Sequence, residues 1–133
     1  MKKTIALILA VLLTVLALSA CGTKSSVTPE EVAGHYRRKN DIFSIVLNAD
    51  STYQYYESEI SSHIGMGNYT IDGDVITLED KFPGLSGPIT CYFRFRYEDG
   101  KLFFLADQSD RFMYVDLPDG TVFERALPEE VSE

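Results

Sequence analysis

Met-Gly-Asn-Tyr-Thr-Ile-Asp-Gly-Asp-Val-Ile-Thr-Leu, residues 66–78, reads as a β-hairpin. Tyr69 and Ile71 alternate with Asn68 and Thr70, and Ile76 and Leu78 flank Thr77, which is the two-residue period of a half-buried strand. Between the two runs stands Asp72-Gly73, a pair that accepts the positive φ a type I′ turn requires. Strands are therefore expected over residues 66–71 and 74–78.

The same pattern extends outward in both directions. Upstream, runs rich in Tyr, Phe, Ile, Val and Thr predict strands over 34–39, 43–48 and 52–58, with Ala49-Asp50-Ser51 as a turn and 61–65 as a loop. Downstream, a connection over 83–88 leads to strands over 89–97, 101–106, 111–117 and 121–125. Glu98-Asp99-Gly100 and Pro118-Asp119-Gly120 supply the turns. Helical periodicity is confined to residues 28–34, where Thr28 is the expected N-cap, Pro29 the first helical residue, Glu31 the partner of a capping box and Gly34 the exit. Some nine short strands predict an all-β fold: a small antiparallel up-and-down meander closing into a barrel or curled sheet, with a short N-terminal helix. Closure removes exposed edges.

At 133 residues the chain has room for one domain. Its formal charge of −8 repels nucleic-acid backbones, so nucleic acid is excluded as a partner class. With 45% hydrophobic residues and Tyr and Phe at 8 each, it can bury a core and is not a disordered acidic tail.

The N-terminal residues carry a separate signal. Lys2 and Lys3 precede an uncharged apolar run over 5–18, too short to span a bilayer comfortably, which ends in Leu18-Ser19-Ala20-Cys21-Gly22. That order is a signal peptide, and its last residues resemble the lipobox of bacterial lipoproteins: Leu, two small residues, then Cys. The resemblance covers residues 1–22. It implies that Cys21 becomes the first mature residue and carries a diacylglyceryl group with acyl chains such as palmitate. It also implies an anchor in the cell membrane at its extracytoplasmic face, or in the outer membrane of a Gram-negative host, where Gly22 in place of Asp fits onward passage. Two or three acyl chains, at about 0.8 kcal/mol per buried methylene, make a stable hold. Loss of Lys2 and Lys3 with the signal takes the charge to −10. The expected organisation is a signal peptide over 1–20, a lipid-anchored tether over 21–28, a β-domain over 29–126 and an acidic tail over 127–133.

A second resemblance concerns the β-domain. A short helix, Gly34-His35-Tyr36 at the first strand and an up-and-down meander are similar to the small lipocalin-like domains of bacterial lipoproteins, with Tyr36 where lipocalins place Trp. The resemblance implies a lipocalin-like barrel in which Arg125, on the last strand, packs across Tyr36 by cation–π stacking. Arg125 as a solvated strand end is the other reading.

No arrangement of residues here names a reaction. His35 and His63 lack metal-ligand spacing, so no metal or other cofactor is expected. Most carboxylates fall in turns, and the chain is not expected to be an enzyme. With Cys21 acylated, Cys91 has no disulfide partner; it shares a strand face with Phe93, Phe95 and Tyr97 and reads as a buried small hydrophobe, not a nucleophile. Arg37-Arg38-Lys39 and the Arg94, Arg96 pair either meet an anionic partner or form salt bridges with nearby acids. The aromatic excess either fills a core or lines a cavity, in which case Tyr53, Tyr55, Phe93 and Phe95 are the candidate ligand-binding residues. The expected function is a non-catalytic binding module for a small apolar or amphipathic ligand. The alternative is a structural or protein-interaction module of the cell envelope. A cavity favours the first; a filled interior with an exposed apolar patch favours the second.

Overall fold

The computed structural model describes residues 26–127. The expected signal peptide over 1–20, Cys21 with its acylation, most of the tether and residues 128–133 of the tail lie outside the described residues. In chain order the elements are α1 (Pro29–Val32), β1 (Gly34–Arg38), β2 (Ser44–Leu47), β3 (Thr52–Tyr56), β4 (Gly65–Asp72), β5 (Val75–Gly84), β6 (Gly87–Glu98) and β7 (Lys101–Phe104). A 3₁₀ turn (Ala106–Gln108) and β8 (Val122–Arg125) complete the fold. Every strand pairs antiparallel with the next, and β8 returns to β1 with Tyr36 opposite Arg125 and Arg38 opposite Phe123. The sheet is thus an eight-stranded up-and-down meander closed into a barrel.

The two ends of the barrel differ. At one end α1 forms a cap: the Thr28 side chain accepts from the Glu31 amide while the Glu31 carboxylate accepts from the Thr28 amide, the capping box that residues 28–31 predict. Val32 is driven into the barrel with no exposed surface. Three donors fix the helix from below. Tyr36 Oη donates to the Val32 carbonyl at 2.6 Å, Tyr97 Oη to the Glu31 carbonyl at 3.1 Å and Arg125 to the same carbonyl at 2.8 Å. Arg125 also lies over the Tyr36 ring, 5.4 Å from its centroid, as the last-strand Arg is expected to do. Gly34 is not a positive-φ exit, since Ala33 caps the helix; a Cβ at Gly34 would instead stand 3.1 Å from Arg125 Nε, so its role is to leave room for that guanidinium.

Three expectations need correction. Residues 111–117 are not a strand, so there are eight strands and not nine. The alternation of Phe112, Tyr114 and Asp116 fits a strand locally, but β7 pairs directly with β8, Leu102 opposite Phe123, and leaves no place for another between them. The connection over 83–88 is instead the tip of a long hairpin, with Pro83 opposite Pro88 and Gly84 opposite Gly87. The hairpin between β4 and β5 turns on Gly73-Asp74, one residue later than expected, with positive φ at Gly73 and not at Asp74. That is the pattern of a II′ turn, whereas Asp99-Gly100 has positive φ at both residues, as I′ requires.

Inward positions alternate along each strand and meet in one core that includes Tyr36, Ile45, Leu47, Ile76, Leu78, Leu102 and Phe123. Phe112 and Leu117, from the irregular β7–β8 connection, are buried in the same core from the end opposite α1, which we call the distal end.

Candidate functional site

The residues expected to bind a ligand all point inward and are buried, at most 2% exposed. Tyr53 and Tyr55 stack with an interplanar angle of 4°. Tyr55 and Phe93 come together edge to face at 5.7 Å, while Phe95 packs against Phe104 and Phe123. Phe112 is wedged among them. Its ring stacks on Phe93 at 3.9 Å and meets Tyr55 at 5.3 Å and Phe43 at 5.0 Å edge-on. The described clefts, of about 620, 400, 250 and 160 Å³, are lined by other residues than these four.

The stacked tyrosines cross the sheet because β4 gives them room. Tyr53 lies opposite Gly67 and Tyr55 opposite Gly65. A Cβ at Gly65 would collide with the Tyr55 ring, and one at Gly67 would stand 2.8 Å from the Glu79 carbonyl. Over these gaps the phenols reach β5: Tyr53 Oη donates to the Glu79 carbonyl at 2.8 Å and Tyr55 Oη to Asp80 Oδ2. Burial first, then the neighbouring acids, pushes both phenols far above the ordinary tyrosine range, so both are neutral donors.

At the distal end this ladder terminates in a buried polar group. Asp80 and Glu57 are each 2% exposed. Glu57 follows Tyr53 and Tyr55 on the inward face, and its Oε2 accepts from the Tyr114 amide at 2.8 Å while its Oε1 is buried without a partner. His63, from the β3–β4 loop, places Nε2 3.7 Å from Asp80 Oδ2 without a hydrogen bond. Its ring lies 4.8 Å from Phe82 and edge-on to Tyr55. Sequence reasoning missed this group. No local signal marks it, because Glu57, His63 and Asp80 come from the end of β3, the β3–β4 loop and β5.

Around that group lies the protein's exposed apolar surface. Among the described residues, eight of the nine exposed large hydrophobic side chains belong to this end: Ile60 and Ile64 in the β3–β4 loop, Met66 at the start of β4, Leu85, Ile89 and Tyr92 on the β5–β6 hairpin, and Met113 and Tyr114. The segments are tied to one another. Tyr114 bonds Glu57, His63 packs at a tilt against Phe82, and Tyr92 exchanges hydrogen bonds with Asp110. The same hairpin carries the cleft of about 400 Å³ lined by residues 81–84, Gly87 and Pro88.

The remaining candidates are engaged in structure. Arg38 pairs with Asp41, Arg96 with Glu98 at 3.3 Å while stacking on Phe103, and Arg94 donates to the Gln108 carbonyl. The cleft of about 620 Å³ beside residues 37–42 and 124–126 is lined by acids as well as bases. Cys91 is half-buried against the core, and burial pushes its thiol up. Among the described residues no group of three or more His, Cys, Asp or Glu could hold a metal ion. Cys21 lies outside the described residues. Comparison with models of known families, with curated proteins and with solved structures finds no match.

Proposed function

We propose that this chain is a membrane-anchored, extracytoplasmic, non-catalytic module whose distal end docks a protein of the cell envelope. The observation that carries the proposal is the distribution of apolar surface: ring-packed inside, and outside concentrated at one end. Isolated exposed hydrophobics are ordinary, but a connected set on one end marks an interaction site. The anchor part rests on Leu18-Ser19-Ala20-Cys21 and its likeness to the bacterial lipobox. Orientation agrees with it. Ser26 and Val27 both bond the Gly73 carbonyl at the α1 end, and the six residues from Cys21 to Val27 reach at most about 20 Å. An acylated Cys21 therefore holds the α1 end toward the bilayer and turns the apolar end away from it. The closed eight-stranded barrel and the packing of Arg125 on Tyr36 support the lipocalin-like reading of the domain.

A second reading, a carrier of a small apolar or amphipathic ligand bound by Tyr53, Tyr55, Phe93 and Phe95, has one observation on its side. Phe112, which occupies the space beside Tyr55 and Phe93, is supplied by an irregular connection and not by a strand. Displacing it would open room for a ligand.

The test places a photo-crosslinking residue at position 85 on the hairpin or at position 70 on the exposed barrel wall toward the α1 end, in the full-length protein and in its Cys21→Ala form. One discrete adduct from position 85, absent from position 70 and lost with Cys21→Ala, is expected. Equal labelling from both positions refutes the docking surface, and saturable uptake of a fluorescent fatty acid by the wild type would establish the carrier in its place. Intact mass and membrane partition of the same pair test acylation.

A further inference from the structure

We infer that the distal end contains a receptor site for a cationic side chain, Lys or Arg, carried within an apolar segment of the partner protein, with Glu57 and Asp80 as its counter-charges. This rests on the reading of the distal end as a docking surface and names the chemistry of what docks there.

A carboxylate taken out of water needs a compensating charge or a full set of donors. Glu57 has neither, and Asp80 has only a phenol donor and a nearby imidazole. Asp80 accepts from Tyr55 and faces His63 across 3.7 Å without a hydrogen bond. Glu57 accepts from one backbone amide, and its second oxygen is buried with no donor in reach. Among the described residues no Lys or Arg pairs with either acid. The Tyr55 phenol donates to Asp80, and Glu57 is the next inward residue of the chain after Tyr55, so both carboxylates belong to the distal end of the barrel.

The neighbouring rings suit a cation and not an anion. Tyr55, His63 and Phe82 form a run of rings with successive centroids 6.3 and 4.8 Å apart, and ring faces attract ammonium and guanidinium groups. The apolar side chains around the mouth take the residues that flank such an anchor, while the missing donors are those that a guanidinium or ammonium brings. Access runs through the Met113-Tyr114 stretch, whose side chains are exposed and which is hydrogen-bonded to Glu57 through the Tyr114 amide. A partner side chain that lifts this stretch gains the carboxylate oxygen it uncovers.

The test uses the full-length acylated protein in neutral phosphatidylcholine vesicles and fluorescein-labelled pentapeptides, Leu-Phe-Xaa-Leu-Ile, with Arg, Lys or citrulline at the centre. Anisotropy is expected to show the Arg and Lys peptides binding about tenfold or more tightly than the citrulline peptide, since a buried charge is left unpaired in the latter case. Glu57→Gln and Asp80→Asn, which keep the hydrogen bonds to Tyr114 and Tyr55, should abolish that preference, with circular dichroism confirming that each variant is folded. Leu85→Ser should weaken all three peptides by a similar factor. Without a partner, Glu57→Gln should also raise the urea midpoint, because it removes an uncompensated buried charge. Equal binding of Arg and citrulline peptides overturns the cation site, as does a lowered urea midpoint in Glu57→Gln, and each leaves the apolar docking surface standing. Absence of binding by every peptide overturns the cation site as well, and the crosslink from position 85 then decides separately whether the docking surface stands.

Discussion

Replacing Phe112 by Ala separates a filled barrel from one that opens in solution. The ring is 7% exposed, stacked on Phe93 at 3.9 Å, edge-on to Phe43 and Tyr55, and 5.6 Å from Phe104. Truncating a buried Phe to Ala costs about 3–5 kcal/mol, and because one substitution here removes four ring–ring pairs, this site falls in the upper half of that range, about 4–5 kcal/mol. The cost is borne by rings on β3, β6 and β7 and by Phe43 just before β2, which cannot collapse into the gap without breaking the barrel wall. Urea unfolding followed by far-UV circular dichroism is the assay, since the chain has no Trp to report by fluorescence. With a urea slope of about 1.5 kcal/mol/M, the midpoint should fall by about 3 M. A loss under about 1 kcal/mol would refute the reasoning. It would mean that the connection over 105–121 spends much of its time unseated, that the space beside Tyr55 and Phe93 is open, and that a fluorescent fatty acid should bind the wild type there.

Three further outcomes follow from the geometry. Gly65→Ala should cost about 2–3 kcal/mol in urea unfolding, because its Cβ collides with the Tyr55 ring and the Tyr55 to Asp80 hydrogen bond goes with it. Replacing residues 82–89 with Asn-Gly, which joins Lys81 to its partner Thr90, should change stability by no more than about 1 kcal/mol, since that hairpin tip is mostly exposed, while abolishing docking. His35, whose pKa is lowered by burial and then by Arg37, takes up its proton more readily in the unfolded chain. Its contribution to stability is therefore full above about pH 6.5 and is lost as the pH falls through the folded-state value. Urea midpoints measured from pH 7.5 downward should decline less steeply in His35→Gln, and identical slopes would show that His35 is not buried as described.

Much of the fold is local and was legible for that reason. The capping box needs residues 28–31 alone, and the hairpin at Asp99-Gly100 is written in a pair that tolerates positive φ; the β4–β5 hairpin was legible too, but its turn falls one residue later than Asp72-Gly73. Residues 111–117 failed because strand alternation is necessary for a strand but not sufficient; what excludes one there is the direct pairing of Leu102 with Phe123, seen only once the barrel closes. The same holds at the distal end. Glu57, His63, Asp80 and Phe82 meet through the registers of β3 on β4 and β4 on β5, so no window along the chain contains the group. Tyr55 and Phe93 were placed on inward faces by alternation, but alternation says nothing of Phe112, which arrives from outside any strand.

The hairpin of β5 and β6 shows what kind of recognition the distal end can use. These strands have 10 and 12 residues, whereas β1, β2, β3, β7 and β8 have 4 or 5, so the pair outgrows the wall it belongs to. The β4 pairing ends at Glu79 and the β7 pairing at Phe95, which leaves two edges beyond those points without a neighbouring strand. Bare edges invite a partner strand unless they are blocked. Tyr92 and Arg94 direct their backbone groups outward, to Asp110, Ser109 and Leu105, and by alternation Pro88 faces outward too. Its partner Pro83, next to the pair that flanks the tight turn, does the same on the opposite edge. Neither proline has an N–H to offer, so the tip of each edge lacks the donor that an added strand would take. Binding by strand addition is disfavoured there, and recognition falls to side chains. The hairpin presents Leu85 and Ile89, and Phe82 leads from them along the inward face of β5 to Asp80, so apolar contact and the proposed pairing with a cation fall on the same end of the barrel.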